Sequence, residues 1–470
     1  MCSIIAIHST KPIPSSEIIH YAQRLRHRGP DGIGFAGETL QCFSRTYEST
    51  ALKNLSTTSP WWIANGLLSL TGKGSPPYTR ATHKGNITLA HNGEIYNYHE
   101  LAKKYSIPIS KDSSDAELLC ALIAKWSEKQ PIAQIATRLQ QEVRGSYALA
   151  IQFQEKTYAF RDALGKKPIW VAEEKNKIIF SSEPIHPRAF LLPPTQLATA
   201  QKGKLHLTPI IPHKKITSHS LAQEWKESMA LRTNGKQRIA VSFSGGIDSA
   251  LVAYTAKQLG KKVIGIGVGI KGSHDEIQAR KAAKEIGITL KWKTLTTKTI
   301  HQLAKEVTHI LQTQDQLQQR IGIVNAATAH YAHQLGFRFL LSGTGADELF
   351  CGYGEFERMR GEKKEINKLR EKRMHEMWKQ NLWREDACTM RFGVELRTPY
   401  LDQSFVAAAL AIPAWENLEG ENGTLRKNAL RRLAITEGLP REIAMQPKKA
   451  MQYGSGVAKV MEKNITSKHD

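Results

Sequence analysis

The stretch AVSFSGGIDSA, residues 240–250, decides the fold of the second half of the chain. An apolar run typical of a buried strand leads into the turn SGG at 244–246, and a helical pattern begins near Asp248 and Ser249. The two glycines let the backbone turn sharply and bring its N–H groups close to a ligand. Because the N-terminus of a helix carries a partial positive charge, this pattern predicts an anion site, to which the hydroxyls of Ser244 and Ser249 donate.

Asp248 indicates what kind of anion this loop binds. A carboxylate repels a bare phosphate, and a bridging Mg²⁺ removes the conflict because it prefers oxygen ligands. The spacing is neither the GxxxxGK[ST] of a Walker loop nor the GxGxxG of a dinucleotide-binding fold. SGGxDS after a strand resembles the pyrophosphate-binding loop of the ATP pyrophosphatases, which cleave ATP to AMP and pyrophosphate. The loop therefore points to ATP and Mg²⁺ as cofactors.

Strands and helices alternate around this loop. KVIGIGV at 262–268 and RFLLSG at 338–343 are further strand-like runs. This alternation predicts an α/β doubly wound parallel sheet for residues 216–470, with a helical C-terminal part. Residues 1–190 combine short β-type runs with a few helical segments and predict a layered α+β domain. Residues 191–215 hold four prolines and are expected to link the two domains.

The composition is that of an ordinary globular protein, since 41% of the 470 residues are hydrophobic and 23% are charged. No apolar run is long enough to span a bilayer and no secretory signal is visible, so we expect no membrane partner and a cytoplasmic location. The five cysteines form neither a CxxC pair nor a cluster with histidine, which argues against structural zinc and disulfides. The formal net charge of +23 raises nucleic acid as a partner, but no RNA-binding motif supports it.

The chain resembles the glutamine-hydrolysing asparagine synthetase family over nearly its whole length. The matching motifs stand in the family's order and include MCSI at 1–4, RHRGPDG at 26–32, HNGEIYNY at 91–98, SDAELL at 114–119, LSGTGADELFCGY at 341–353, LRKNALRRLA at 425–434 and PKKAMQYGSG at 447–456. The last motif is similar to the asparagine synthetase domain-containing branch. The resemblance implies an αββα class II glutamine amidotransferase domain followed by an ATP pyrophosphatase-type synthetase domain. Together they would amidate aspartate to asparagine through an acyl-adenylate, releasing AMP, pyrophosphate and glutamate.

The resemblance gives Cys2 a role as the nucleophile of the first domain. After removal of Met1, its α-amine, with an ordinary pKa of about 7.7–8.0, can take the thiol proton, and the thiolate can attack the glutamine amide. The implied glutamine-binding residues are Asn92, Gly93, Glu94 and Asp115. The first two match the oxyanion-hole positions and are therefore also catalytic, and the other two match positions that hold the glutamine α-amine.

In the second domain the resemblance implies a nucleotide site, a metal site and a catalytic lysine. Lys448 falls at the catalytic lysine, which would neutralise phosphate charge, although Lys449 lies one position away. Asp248 and Asp347 match the Mg²⁺-binding carboxylates. The implied ATP-binding residues are Phe243, Ser244, Gly245, Gly246, Asp248, Ser249, Val268, Ser342 and Gly343.

Two positions depart from the family's pattern. Leu67 stands where the family has an arginine that binds the glutamine carboxylate. Because losing a charge-assisted contact costs about 1.5–3 kcal/mol, we expect a glutaminase that is weak or lost, unless a basic residue such as Arg80 substitutes. Thr344 stands where well-studied synthetases have a glutamate, and threonine is no general base near neutral pH. Either Glu348 or another carboxylate replaces that glutamate, or the acceptor differs from aspartate.

The leading interpretation is amidation of aspartate, with glutamine, aspartate and ATP as small-molecule partners. Thr344 keeps open the same chemistry on another small carboxylic acid, by analogy with β-lactam-forming relatives of the family. The two departures also keep open a weakened, non-catalytic homologue. Modification of tRNA, which other ATP pyrophosphatases catalyse, is less favoured because a glutaminase half has no role there. A homodimer is compatible with the sequence, which does not itself give the oligomeric state.

Overall fold

The computed structural model describes residues 2–53, 55–211, 219–418, 425–447 and 451–466. The chain forms two compact units, Met1–His213 and Lys214–Asp470. Each unit has its own sheets and its own hydrophobic core. Within the described ranges, no helix is both long enough and apolar enough to cross a membrane.

The first unit contains two antiparallel sheets. Its strands are β1 (Cys2–Pro14), β2 (Ile33–Ala36), β3 (Gln41–Ser44), β4 (Thr58–Leu67), β5 (Tyr78–Thr82), β6 (Gly85–Ile95), β7 (Gly145–Phe153), β8 (Lys156–Arg161), β9 (Trp170–Glu174), β10 (Lys177–Ser181), β11 (Phe190–Leu191), β12 (Gln196–Gln201) and β13 (Lys204–Pro209). Its helices are α1 (Ser15–Arg24), α2 (Thr50–Lys53), α3 (Tyr98–Lys104), α4 (Asp115–Ser127) and α5 (Ile132–Glu142). The strand orders are β11-β9-β10-β1-β4-β2-β3 and β13-β12-β8-β7-β6-β5.

The two sheets pack face to face, and helices cover their outer faces. In β1, Ile4 and Ala6 belong to the core between the sheets, whereas Ile5 and Ile7 pack in the cluster that includes Ile18 of α1. Because both faces of this part of the strand are buried, residues 4–7 form an unbroken apolar run. Helices α4 and α5 pack on the outer face of the six-stranded sheet. The layered αββα architecture expected for this domain is confirmed.

The predicted linker at 191–215 is wrong over much of its length, because β12 and β13 lie within it. Ala198 and Ala200 of β12 contribute to the core between the two sheets, and β12 pairs with β8. Of the prolines that indicate a loop, Pro193 and Pro194 precede β12 and Pro209 lies at the end of β13. Pro209 ends β13, the edge strand, where a missing backbone N–H removes no hydrogen bond between strands.

The second unit contains one parallel sheet with helices. Its strands are β14 (Arg238–Ser242), β15 (Lys262–Gly269), β16 (Thr289–Thr294), β17 (Phe339–Leu341) and β18 (Glu395–Arg397). Its helices are α6 (Leu221–Thr233), α7 (Ile247–Gln258), α8 (His274–Ile286), α9 (Thr297–Leu311), α10 (Gln316–Gln334), α11 (Ala346–Leu349), α12 (Gly354–Arg358), α13 (Lys363–Met377), α14 (Trp383–Met390), α15 (Gln403–Ala411), α16 (Asn428–Thr436), α17 (Arg441–Ala444), α18 (Met451–Gly454) and α19 (Val457–Thr466). A π-helical turn, Trp378–Leu382, joins α13 to α14.

The strand order β16-β15-β14-β17-β18 confirms the predicted parallel α/β sheet and positions its site. The chain runs from β14 to β16 on one side and then adds β17 and β18 on the other side. Ligands of such sheets bind at the carboxyl ends of the strands where the order reverses. Here that point lies between β14 and β17, which are followed by residues 243–249 and 342–347, the turns and first helical residues after each strand.

Candidate active sites

Cys2 lies at the start of β1 and lines a small cavity of about 30 Å³ in the first unit. Its backbone nitrogen donates a hydrogen bond to Oδ1 of Asn92 at 3.3 Å. With that oxygen engaged, the Asn92 Nδ2 group is buried and has no hydrogen-bond partner among the described residues. A buried donor without a partner costs about 1–3 kcal/mol, so it suits an oxygen that develops charge beside Cys2.

Gly93 also lines this cavity, and the backbone conformation at its position favours glycine. Its φ of +150° is unfavourable for residues with a side chain. A Cβ atom there would lie 1.9 Å from the carbonyl oxygen of Ser146 on the paired strand β7. Glycine therefore keeps β6 and β7 paired next to the cavity, which leaves the Asn92 side chain and the Gly93 backbone adjacent to Cys2.

Two carboxylates, Glu94 and Asp115, also line this cavity. The Thr71 hydroxyl donates to Oε1 of Glu94 at 2.8 Å, and the backbone N–H of Ile95 donates to Oδ2 of Asp115 at 2.7 Å. Burial, together with the negative charge of Glu94, raises the pKa of Asp115 to about 7. A pair of buried acidic groups favours a cationic ligand group, such as the α-amine of an amino acid.

No arginine or lysine is among the described residues that line this cavity. Leu67 lies opposite Cys2 in the register of β1 and β4 and faces the cavity. Arg80, the expected substitute, is exposed on β5 and pairs with Glu117 at 2.8 Å. His91 is neutral, because burial lowers its pKa to about 3. The suggestion that Arg80 takes the place of the missing arginine is therefore not supported by its position.

Leu67→Arg should lower the KM for glutamine by about 10- to 100-fold, because a new charge-assisted hydrogen bond to the carboxylate contributes about 1.5–3 kcal/mol. The measurement is glutamate release against glutamine concentration. Arg80→Ala is the control and should leave the KM unchanged, because Arg80 lies outside the cavity. A larger effect of Arg80→Ala than of Leu67→Arg would contradict this account of the pocket.

Asp115→Asn should stabilise the protein more at high pH than at low pH. The pKa of Asp115 is higher in the folded protein than in the unfolded chain. The free-energy cost of burying its charge is therefore absent below the pKa of the unfolded chain, grows as the pH rises toward 7 and is constant at higher pH. Relative to the wild type, the free energy of unfolding of Asp115→Asn should be higher at about pH 8 than at about pH 5 by roughly 2–3 kcal/mol. Denaturant titrations at the two pH values measure this. Asp112→Asn, at an exposed site, should show no such difference.

The second unit holds a cavity of about 510 Å³ where β14 and β17 end. Helix α7 begins directly after the SGG turn, and the Ser249 hydroxyl accepts a hydrogen bond from the Ser244 backbone N–H at 3.3 Å. The predicted nucleotide residues that line the cavity are Phe243, Ser244, Gly246, Asp248, Ser249, Val268, Ser342 and Gly343. Gly245 is not a lining residue, because it packs on α8, where a Cβ atom would lie 2.6 Å from the Gln278 carbonyl group.

Asp248 and Asp347 converge on one point of this cavity. The ammonium group of Lys427 lies 2.6 and 2.7 Å from the two oxygens of Asp248 and 2.7 Å from Oδ1 of Asp347. Two carboxylates that already share one cation fit a Mg²⁺ site, since Mg²⁺ is usually bound through one or two carboxylates plus substrate phosphates. Lys448, the predicted catalytic lysine, lies outside the described residues, as does Lys449.

Thr344 occupies the cavity wall next to a carboxylate from another element. Its hydroxyl donates to Oε2 of Glu385 on α14 at 2.6 Å. Glu385 lines the cavity and is buried, and burial raises its pKa. Glu348 also lines the cavity, but its Oε1 accepts hydrogen bonds from Tyr353 and Asn381 at 2.5 Å each. Of the two carboxylates, Glu385 is the one in direct contact with the position where a glutamate was expected.

Comparisons with known proteins agree with this arrangement. The asparagine synthase family matches residues 220–364 and 357–467, and a glutamine amidotransferase domain matches residues 68–186. A protein of Methanocaldococcus jannaschii named "Putative asparagine synthetase (glutamine-hydrolyzing) 1" is 30% identical, covering 98% of this chain and 95% of that protein. Asparagine synthetase (glutamine-hydrolyzing) 2 of Oryza sativa is 26% identical, covering 97% of this chain and 78% of that protein.

The family match extends over more than half of the chain, and the relative from Methanocaldococcus jannaschii is matched almost from end to end. The matched regions include the SGG turn with Asp248, the loop with Asp347 and the cavity wall that holds Glu94 and Asp115. The chain therefore belongs to the glutamine-dependent asparagine synthase family and is an ATP-using ligase with a glutamine amidotransferase domain.

Proposed function

We propose that this enzyme amidates aspartate to asparagine, with glutamine as the nitrogen donor and cleavage of ATP to AMP and pyrophosphate as the driving reaction. The observation that carries the proposal is the 510 Å³ cavity. It is lined by Ser244 and Gly246 of the SGG turn, the converging pair Asp248 and Asp347, and the buried Glu385. This set of groups suits transfer of an adenylyl group to a carboxylic acid, followed by attack of ammonia on the acyl-adenylate.

In the glutaminase half, we propose that Cys2 is the nucleophile. Removal of Met1 would turn the nitrogen of Cys2 into an α-amine, which can accept the thiol proton. Nδ2 of Asn92 would then donate to the oxyanion of the tetrahedral intermediate, and Glu94 and Asp115 would hold the glutamine α-amine. The missing cation near Leu67 would leave the glutamine carboxylate weakly bound, so this half is proposed to be active with a high KM.

In the synthetase half, we propose that the SGG turn and the start of α7 bind the phosphates of ATP through backbone N–H groups. Mg²⁺, held by Asp248 and Asp347, would supply charge neutralisation at the phosphate oxygens. Ser342 and Gly343 would border the nucleotide, and Lys448 is proposed to approach the phosphate that reacts. The acid and the α-phosphate would meet near Thr344 and Glu385, at the same cavity wall.

Glu385→Gln should lower the rate of amidation by about 10²- to 10⁴-fold, the range of a lost general base. Burial raises the pKa of Glu385, which favours its accepting a proton from attacking ammonia. Adenylate formation, measured as aspartate-dependent exchange of pyrophosphate into ATP, should fall less. Glu376→Gln is the matched control. Glu376 also lines the cavity and pairs with Lys379 at 3.6 Å, as Glu385 pairs with Arg384 at 3.7 Å, but Glu376 is partly exposed, whereas Glu385 is buried against Thr344. Equal loss in both variants would contradict the role of Glu385.

The alternative acceptor is another small carboxylic acid, and the contact of Thr344 with Glu385 is the observation that favours it, because it changes the wall where the acid would bind. The test is exchange of pyrophosphate into ATP with aspartate, glutamate and a set of other small acids supplied in turn. Stimulation by aspartate supports the proposed reaction. Stimulation by another acid alone replaces aspartate as the acceptor and retains the chemistry.

A further inference from the structure

Lys427 is the buried cation at the point where Asp248 and Asp347 converge. Its side chain is 1% exposed, and its ammonium group contacts both carboxylates at 2.6–2.7 Å. Among the described lining residues of the large cavity, the two arginines have other partners, since Arg373 pairs with Glu355 and Arg384 donates to Gln318. Among the described lysine and arginine residues that line this cavity, Lys427 is therefore the one in contact with both Asp248 and Asp347.

The local backbone is built to place this ammonium group. Lys427 precedes α16 in a left-handed conformation, with φ of 62°, which is uncommon for a residue with a side chain. A Cβ atom at Gly352 would lie 2.3 Å from Cε of Lys427 and 1.9 Å from Oδ1 of Asp347, so glycine leaves the space that the ion pair fills. Arg431 anchors the same turn by donating to the carbonyl oxygens of Arg426 and Gln446.

We propose that Lys427 is a resident counter-ion of the carboxylate pair and that it yields this position when a divalent cation binds. The proposal rests on the metal-binding role proposed above for Asp248 and Asp347. Two carboxylates this close repel each other without a cation, so Lys427 keeps them together in the metal-free protein. Lys427 also competes with the metal ion for the two carboxylates. The affinity of the site for a divalent cation is therefore low until phosphate oxygens in the same cavity can accept the displaced ammonium group.

The pairing is tested by thermal unfolding of the full chain in the presence of a chelator. Lys427→Met should unfold at a lower temperature than the wild type, and adding Asp347→Asn should recover part of the loss because one unpaired charge is removed. Lys177→Met is the matched control, since Lys177 also lies between two carboxylates, Glu17 and Glu174, but is partly exposed. It should lose less than Lys427→Met.

The exchange is tested by Mn²⁺ titration without nucleotide, followed by electron paramagnetic resonance. Lys427→Met should bind Mn²⁺ about tenfold more tightly than the wild type, because no ammonium group has to be displaced. Lys427→Gln also removes the charge, should bind as tightly as Lys427→Met and covers the case in which Lys427→Met does not fold. Lys427→Arg, which retains the charge, should bind as weakly as the wild type. Asp347→Asn should abolish Mn²⁺ binding both as a single substitution and in combination with Lys427→Met.

Equal Mn²⁺ affinity of the wild type and Lys427→Met would overturn the proposal, as would Lys427→Arg binding as tightly as Lys427→Met. Absence of Mn²⁺ binding in every variant would also overturn it and would remove the metal role on which it rests. If tighter binding by Lys427→Met is found while no acid stimulates exchange of pyrophosphate into ATP, the counter-ion role is supported and the proposed function fails.

Discussion

Cys2→Ala should abolish asparagine formation from glutamine and leave asparagine formation from ammonium intact. Removing a nucleophile that forms a covalent intermediate lowers the rate by about 10⁴- to 10⁶-fold. The buried Nδ2 of Asn92 and the glycine-restricted backbone at Gly93 stay in place, but they have no tetrahedral intermediate to stabilise. The measurement compares the two nitrogen donors in one preparation, so loss of folding would be seen as loss of both reactions.

Cys42→Ala is the matched control for this variant. Cys42 is partly buried in β3, and burial raises the pKa of its thiol, so it is a poor nucleophile. It should retain both reactions. Glutamine-dependent activity that survives Cys2→Ala, or a mass spectrum of active enzyme that retains Met1, would refute the nucleophile assignment, because the proposed base is the α-amine of Cys2.

Asp347→Asn should have the opposite pattern and lose synthesis from both donors while glutamine hydrolysis continues. If Asp347 holds a metal ion as proposed, several kcal/mol of charge stabilisation depend on it, so the ATP-dependent step should slow by about a thousandfold or more. The side chain contacts Lys427 and faces the cavity of the second unit, whereas the Cys2 cavity is lined by residues of the first unit. Glutamate release is therefore the internal control for folding.

Substantial exchange of pyrophosphate into ATP by Asp347→Asn would contradict the metal assignment. Asp347→Glu keeps the charge but lengthens the side chain by one methylene, so we expect it to retain more activity than Asp347→Asn. If the two variants lose the same activity, the geometry of the carboxylate matters more than its charge, and a purely electrostatic account of this site is wrong.

Much of the fold could be predicted because local patterns and tertiary packing agree. A strand precedes the SGG turn and a helix follows it, as predicted, although α7 begins at Ile247, slightly before the predicted start. Residues 4–7 of β1 are apolar on both faces because the opposite sheet and α1 bury both. The linker prediction fails because prolines, which usually mark loops, here flank two strands. Burial of Ala198 and Ala200 against the opposite sheet is a tertiary effect that a local pattern does not contain.

Short motifs in the sequence predict part of the candidate site, whereas residues that the folded chain brings together from distant positions carry no such signal. The sequence predicts Asp248 and the SGG turn from a single stretch, residues 240–250. In contrast, Lys427 lies 179 positions away from Asp248, and Glu385 lies 41 positions from Thr344. Lys427 stands in the matched motif LRKNALRRLA, but only its left-handed backbone and burial identify it as part of the site. Glu385 carries no local signal at all.

The measurement that tests the central claim most directly is the joint quantification of AMP and asparagine from Mg-ATP and aspartate, with ammonium or glutamine supplied separately. The account predicts equal amounts of AMP and asparagine with ammonium, and the same products with glutamine only at high concentration, because Leu67 leaves the glutamine carboxylate without a cation. Absence of AMP and asparagine with both donors, in enzyme that has lost Met1, would contradict it.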